Sequence, residues 1–139
     1  MILHGEESSV EIAVAHVETP QPGAEEDGGD VLVIARVRCL GFAGETDAWV
    51  ARPAWDAFLG ALAALERGRQ GEAVLEGMSP DELRLRVHAI DRAGHLAAEG
   101  FLGVRGVRNE LRLEFSAIEF DPTQLPALVA ELSAPTPAA

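Results

Sequence analysis

Residues 82–120 alternate in polarity so regularly that they point to one strand pairing. With Arg92 and Ala93 as a two-residue hairpin turn, Leu83 falls opposite Leu102, Leu85 opposite Gly100 and Val87 opposite Ala98. On the other face Arg86 then meets Glu99. With 106–109 as a four-residue loop, Arg105 faces Glu110, Val104 faces Leu111, Leu102 faces Leu113 and Gly100 faces Phe115. A slip of one residue would turn every side chain to the wrong face, so two turns that agree on one apolar face specify a three-stranded meander. Gly100 opposite Phe115 either makes room for the ring or marks a bulge. In this register Phe101, Ile118 and Phe120 lie on the outer face, where they pack under a helix or form a binding patch.

The first half of the chain has the same period. Val10, Ile12 and Val14 alternate with Glu11 and Ala13 over 9–18, and Val33, Ala35, Val37 and Cys39 alternate with Arg36 and Arg38 over 31–40. A third strand is expected over 45–51, after a turn around Phe42 bracketed by Gly41 and Gly44, and a short fourth over 73–75. Prolines, glycines and like charges make 19–29 a solvated, mobile loop. Pro53 opens a helix over 53–67, since proline suits a first turn, and Gly68 is expected to stop it. Its stripe of Trp55, Phe58, Leu59, Leu62 and Leu65 is core, each side chain contributing about 1.5–3 kcal/mol on burial before entropy is counted. Asp121-Pro122-Thr123-Gln124 reads as the capped start of a last helix over 122–132, with Gln124 placed to reach back as in a capping box.

These elements give an α+β domain over 1–132 with a disordered tail over 133–139. A twisted, mostly antiparallel sheet of about seven strands is expected to curve around the first helix, with the second closing one edge. A half-open barrel and a two-sheet sandwich both accommodate them.

Charge limits the partners. The first thirty residues carry eight acids and no lysine or arginine, and the whole chain has a net charge of −12. Such a surface repels nucleic acid and anionic lipid and attracts basic proteins. No basic patch with interleaved aromatics exists to hold a nucleic acid. No apolar stretch approaches the roughly 20 residues of a membrane span, and no signal peptide opens the chain, so the cytoplasm is the expected location. The single cysteine, Cys39, sits in an apolar alternating run and reads as a buried structural thiol.

Catalytic chemistry leaves little trace. Phosphate-binding, dinucleotide-binding and nucleophile-elbow motifs are absent. The carboxylate pairs Glu25/Glu26, Glu45/Asp47 and Asp81/Glu82 fall in turns or at strand ends, where a solvated face is the simpler reading. The acids of 25–27 lack the spacing of a calcium loop. His88 and His95 are outer-face neighbours near Asp91 and Glu99, a remote metal alternative, because strand spacing alone does not converge ligands. No cofactor is implied.

A Gly-Phe-x-Gly turn (Gly41 to Gly44) leads to Trp49-Val50, then to the helix of Phe58 to Leu65. Gly71-x-Ala73-x-Leu75, Leu83-x-Leu85 and Gly94-His95-Leu96-x-Ala98-x-Gly100-x-Leu102 follow, then Leu111-x-Leu113-x-Phe115 and Asp121-Pro122-Thr123-x-Leu125. Over roughly residues 9–133 this order resembles the WapI-type bacterial immunity proteins and their relatives. The resemblance implies a non-enzymatic protein that binds and neutralises a cognate toxin, often a nuclease. A basic toxin would be drawn to acids, and Glu25, Glu26, Asp27, Asp30, Glu45 and Asp47 are the expected contacts. The alternatives are a homo-oligomerising structural protein, such as a homodimer, and a small-ligand binder or enzyme with a pocket inside the curved sheet.

Overall fold

The computed structural model describes residues 1–19 and 28–133. Eight strands form two antiparallel four-stranded sheets. The first sheet is β1 (Ile2–Gly5), β2 (Ser8–Val17), β3 (Val31–Cys39) and β4 (Phe42–Val50), in that order. Helix α1 (Arg52–Gly68) follows. The second sheet is β5 (Glu72–Glu76), β6 (Leu83–Ala89), β7 (Leu96–Arg105) and β8 (Glu110–Phe120), and a 3-10 turn over Pro122–Gln124 leads into α2 (Leu125–Ser133). The strand beyond the expected seven is β1, whose four residues are too few to show a period.

Both sheets turn an apolar face inward. In the first, Leu3, Val10 and Val37 align, as do Val14, Val33 and Ala48. In the second, Ala73, Val87 and Ala98 align, as do Leu75 and Leu85. Trp55, Phe58, Leu62 and Leu65 of α1 and Leu125, Leu128 and Leu132 of α2 complete the core. Leu3, Ile12, Val33, Phe58, Leu62 and Leu85 are essentially excluded from water and form the centre of this core. The Thr46 hydroxyl donates to the Gly103 carbonyl at 3.2 Å and ties β4 to β7. Gly5 lets β1 approach β8, because a Cβ there would lie 2.7 Å from the Glu119 carbonyl oxygen.

The meander has the expected register from Leu83–Leu102 to Arg105–Glu110. Its first turn is longer than two residues: Ile90 N–H donates to the His95 carbonyl at 2.9 Å, leaving 91–94 as the loop. A bulge then overturns the outer-face placement of Ile118 and Phe120. The register shifts between Ala98 and Gly100, and Ala117 adopts a left-handed φ of 56°. The extra residue moves Ile118 opposite Ala98 and Phe120 opposite Leu96, and both are buried. Phe101, on the other side of the shift along β7, stays on the outer face with the Arg112 guanidinium 3.8 Å above its ring.

Three smaller expectations change. Cys39 is exposed, because it ends β3 at the open rim between the sheets. The turn after β3 is Leu40-Gly41, with Leu40 at φ 55° and Phe42 already in β4. Helix α1 runs through Gly68 and ends on Arg69 at φ 54°, whose N–H reaches the Leu65 carbonyl at 2.8 Å. The Arg69 guanidinium also donates to the Glu66 carbonyl at 3.2 Å, satisfying another group at the helix end. No helix among the described residues is long and apolar enough to cross a membrane.

Candidate functional site

Strand β4 has one side in the core and one in water. Thr46, Ala48 and Val50 are buried, while Glu45, Asp47 and Trp49 alternate with them and are exposed. Cross-strand pairing extends this stripe into a face. Glu11, Arg36 and Glu45 form one row, Ala13, Ile34 and Asp47 the next, and His16, Leu32 and Trp49 the third. Arg36 lies 3.4 Å from Glu11 and 3.3 Å from Glu45, so one cation serves two acids. Asp47 makes no ion pair among the described residues. The Trp49 indole is 39% exposed and meets the His16 ring edge-on at 6.0 Å. The face therefore carries three acids, Glu11, Glu45 and Asp47, against the cations Arg36 and Arg38, with the half-exposed Trp49 beside them.

The expected contact residues divide. Glu45 and Asp47 stand together on this face. Asp30 is engaged elsewhere, where its carboxylate accepts the Arg52 N–H at 3.1 Å and caps the start of α1. Glu25, Glu26 and Asp27 lie outside the described residues, as do most of the 19–29 loop and all of the expected 133–139 tail except Ser133. Composition alone does not mark Trp49, which reads as the end of a strand. The signal for it is its parity with Glu45 and Asp47.

The histidine pair does not converge. His88 Nδ1 is 3.3 Å from the Ala89 carbonyl oxygen and its Nε2 is 4.0 Å from Glu99. His95 is instead held by the Asp91 carboxylate, which also accepts its backbone N–H at 3.2 Å. The side-chain bond to Asp91 raises the His95 pKa above its ordinary value, and the same bond lowers that of Asp91. Among the described residues no three His, Cys, Asp or Glu side chains gather as metal ligands do.

At the rim between the sheets, a cleft of ≈ 540 Å³ opens among Phe42, Gly44, Leu102, Val104, Leu111 and Leu113. Phe42 is 78% exposed and Leu111 75% exposed. The lining is mainly apolar, with Glu45, Arg112 and Glu114 adding charge.

The family model for the Immunity protein WapI-like family matches residues 1–136, nearly the whole chain. The chain belongs to that family. No curated protein and no solved structure matches it. As a WapI-like protein it carries a toxin-neutralising role in general terms, and with it a protein partner. The two antiparallel sheets and two helices above are the α+β scaffold on which this WapI-like chain presents its surfaces.

Proposed function

We propose that this WapI-like protein neutralises a basic toxin domain without catalysis, by covering it with the outer face of the first sheet. The observation that carries this reading is the exposed stripe of Glu45, Asp47 and Trp49 on β4. Tryptophan is among the residues most often found to dominate interface energetics, and surrounding charges set approach and orientation. On this face Glu11, Glu45 and Asp47 outnumber Arg36 and Arg38. The net charge of −12 adds long-range attraction for a cationic toxin. Glu25, Glu26 and Asp27 are proposed to add to the same attraction, whereas Asp30 contributes chiefly by fixing the start of α1.

The test is co-expression with a cationic candidate toxin domain taken from the neighbourhood of its gene. The wild-type chain is expected to rescue growth, and a Trp49→Ala, Asp47→Arg double variant to fail while still folding. Rescue by that variant as complete as by the wild type would refute the assignment of this face.

A further inference from the structure

Strand β8 ends the second sheet, and among the described residues nothing pairs with the far edge of Glu110–Ser116. Neighbouring bonds fix which of its backbone groups are free. Gly103 N–H donates to the Glu82 carbonyl at 2.8 Å, so the backbone of Gly103 points toward β6. Groups alternate along an antiparallel strand, so Leu102 and Val104 point toward β8 and bond with their partners Leu113 and Leu111. The N–H and C=O groups of Arg112 and Glu114 therefore point outward.

We propose that this edge pairs with the same edge of a second copy of the chain, antiparallel and about a two-fold axis through Leu113. That register sets Arg112 opposite Glu114 of the partner subunit, and Glu114 opposite the partner's Arg112. Both positions have free outward backbone groups, so each pair exchanges two hydrogen bonds. The side chains of Arg112 and Glu114 lie on the outer face, where they already meet each other at 2.9 Å within one chain. Across the seam they form a balanced group of two cations and two anions. On the inner face the register sets Leu113 against Leu113 of the partner subunit, and the 75% exposed Leu111 against the partner's Phe115. Of the other registers that keep outward groups opposed, centring on Arg112 or on Glu114 would oppose like charges, and centring on Leu111 would oppose Arg112 and the partner's Glu110 but pair only 110–112, because β8 begins at Glu110. The occupant is thus specified by charge and backbone parity together, and an open edge of this kind is what a second strand seeks.

Light scattering of the full chain over a range of concentrations tests this. The wild type is expected to associate into a dimer as concentration rises. Glu114→Arg and Arg112→Glu should each weaken association by about tenfold or more, because the axis repeats the clash at both ends. The double exchange R112E/E114R should restore it. A wild type that stays monomeric throughout, single reversals that leave the dimer intact, or a double exchange that stays monomeric would each overturn the proposal. Hydrogen exchange on the unmodified chain gives a second reading that needs no variant: the amides of Arg112 and Glu114 should slow with concentration, and concentration-independent exchange there would also overturn it.

Discussion

The Gln124 carboxamide brackets the backbone of His4, accepting its N–H at 3.0 Å and donating to its carbonyl oxygen at 3.0 Å. One side chain thereby does for the edge of β1 what a neighbouring strand would do. It satisfies the outward groups of His4 on a sheet edge that β8 approaches at Gly5. Gln124→Ala removes both bonds, and the expected loss is about 1–2 kcal/mol of stability, read as a lower urea midpoint with unchanged slope. A midpoint equal to wild type would show that water replaces the carboxamide without cost.

Gly100 sits beside the bulge at φ 153°, and a Cβ there would lie 1.8 Å from the Arg84 carbonyl oxygen. Gly100→Ala must move the β6–β7 pairing as well as strain its own backbone. The expected cost is on the order of 3 kcal/mol. Thermal unfolding of the variant checks it, and a melting temperature near that of the wild type would contradict the close approach.

Trp49 and Trp55 divide the fluorescence of the protein. Trp55 is buried among the core residues, and Trp49 stands half-exposed on the acidic face. Toxin binding is therefore expected to change the emission through Trp49 alone, and Trp49→Phe should abolish that change. Trp49→Ala should weaken binding by about 2 kcal/mol or more, roughly thirtyfold. Unaltered affinity would move the contact to another surface.

The Asp91–His95 pair gives a pH signature. Its hydrogen bond lifts the His95 pKa and lowers that of Asp91. The His95 contribution is complete below the ordinary histidine pKa and is lost as pH rises through the raised value. The Asp91 contribution is present above the ordinary aspartate pKa and is lost as pH falls through the lowered value. Both partners are exposed, so the effect on global stability is small. Histidine NMR is the sensitive readout: Asp91→Asn should bring the His95 midpoint down toward the ordinary range. A midpoint that does not move would contradict the pairing.

The meander is legible from residue order alone because one turn assignment satisfies both faces at once. Arg86 does meet Glu99, at 2.6 Å, and Leu102 does face both Leu83 and Leu113. Residue order misplaces Ile118 and Phe120 because a bulge is invisible to a period of two: the side-chain pattern remains alternating on both sides of Ala117. Strand β1 escapes notice for want of length, and Cys39 reads as buried because periodicity reports a face, not how far the opposing sheet extends over it. Gln124 keeps its helix-start position but reaches His4 instead of its own helix end, a long-range choice that local spacing cannot encode. For the candidate site, charge singles out Glu45 and Asp47, while Trp49 joins them only once β4 has a defined inside and outside.

The most direct test of the acidic-face account is the association rate with the toxin domain, followed by stopped-flow over a range of salt concentration. Association should be fast and salt-sensitive, and should slow several-fold at low salt in the Glu45→Arg, Asp47→Arg variant, with the difference shrinking as salt screens it. Rates that are identical for the two proteins at low salt, or that do not respond to salt, would contradict it.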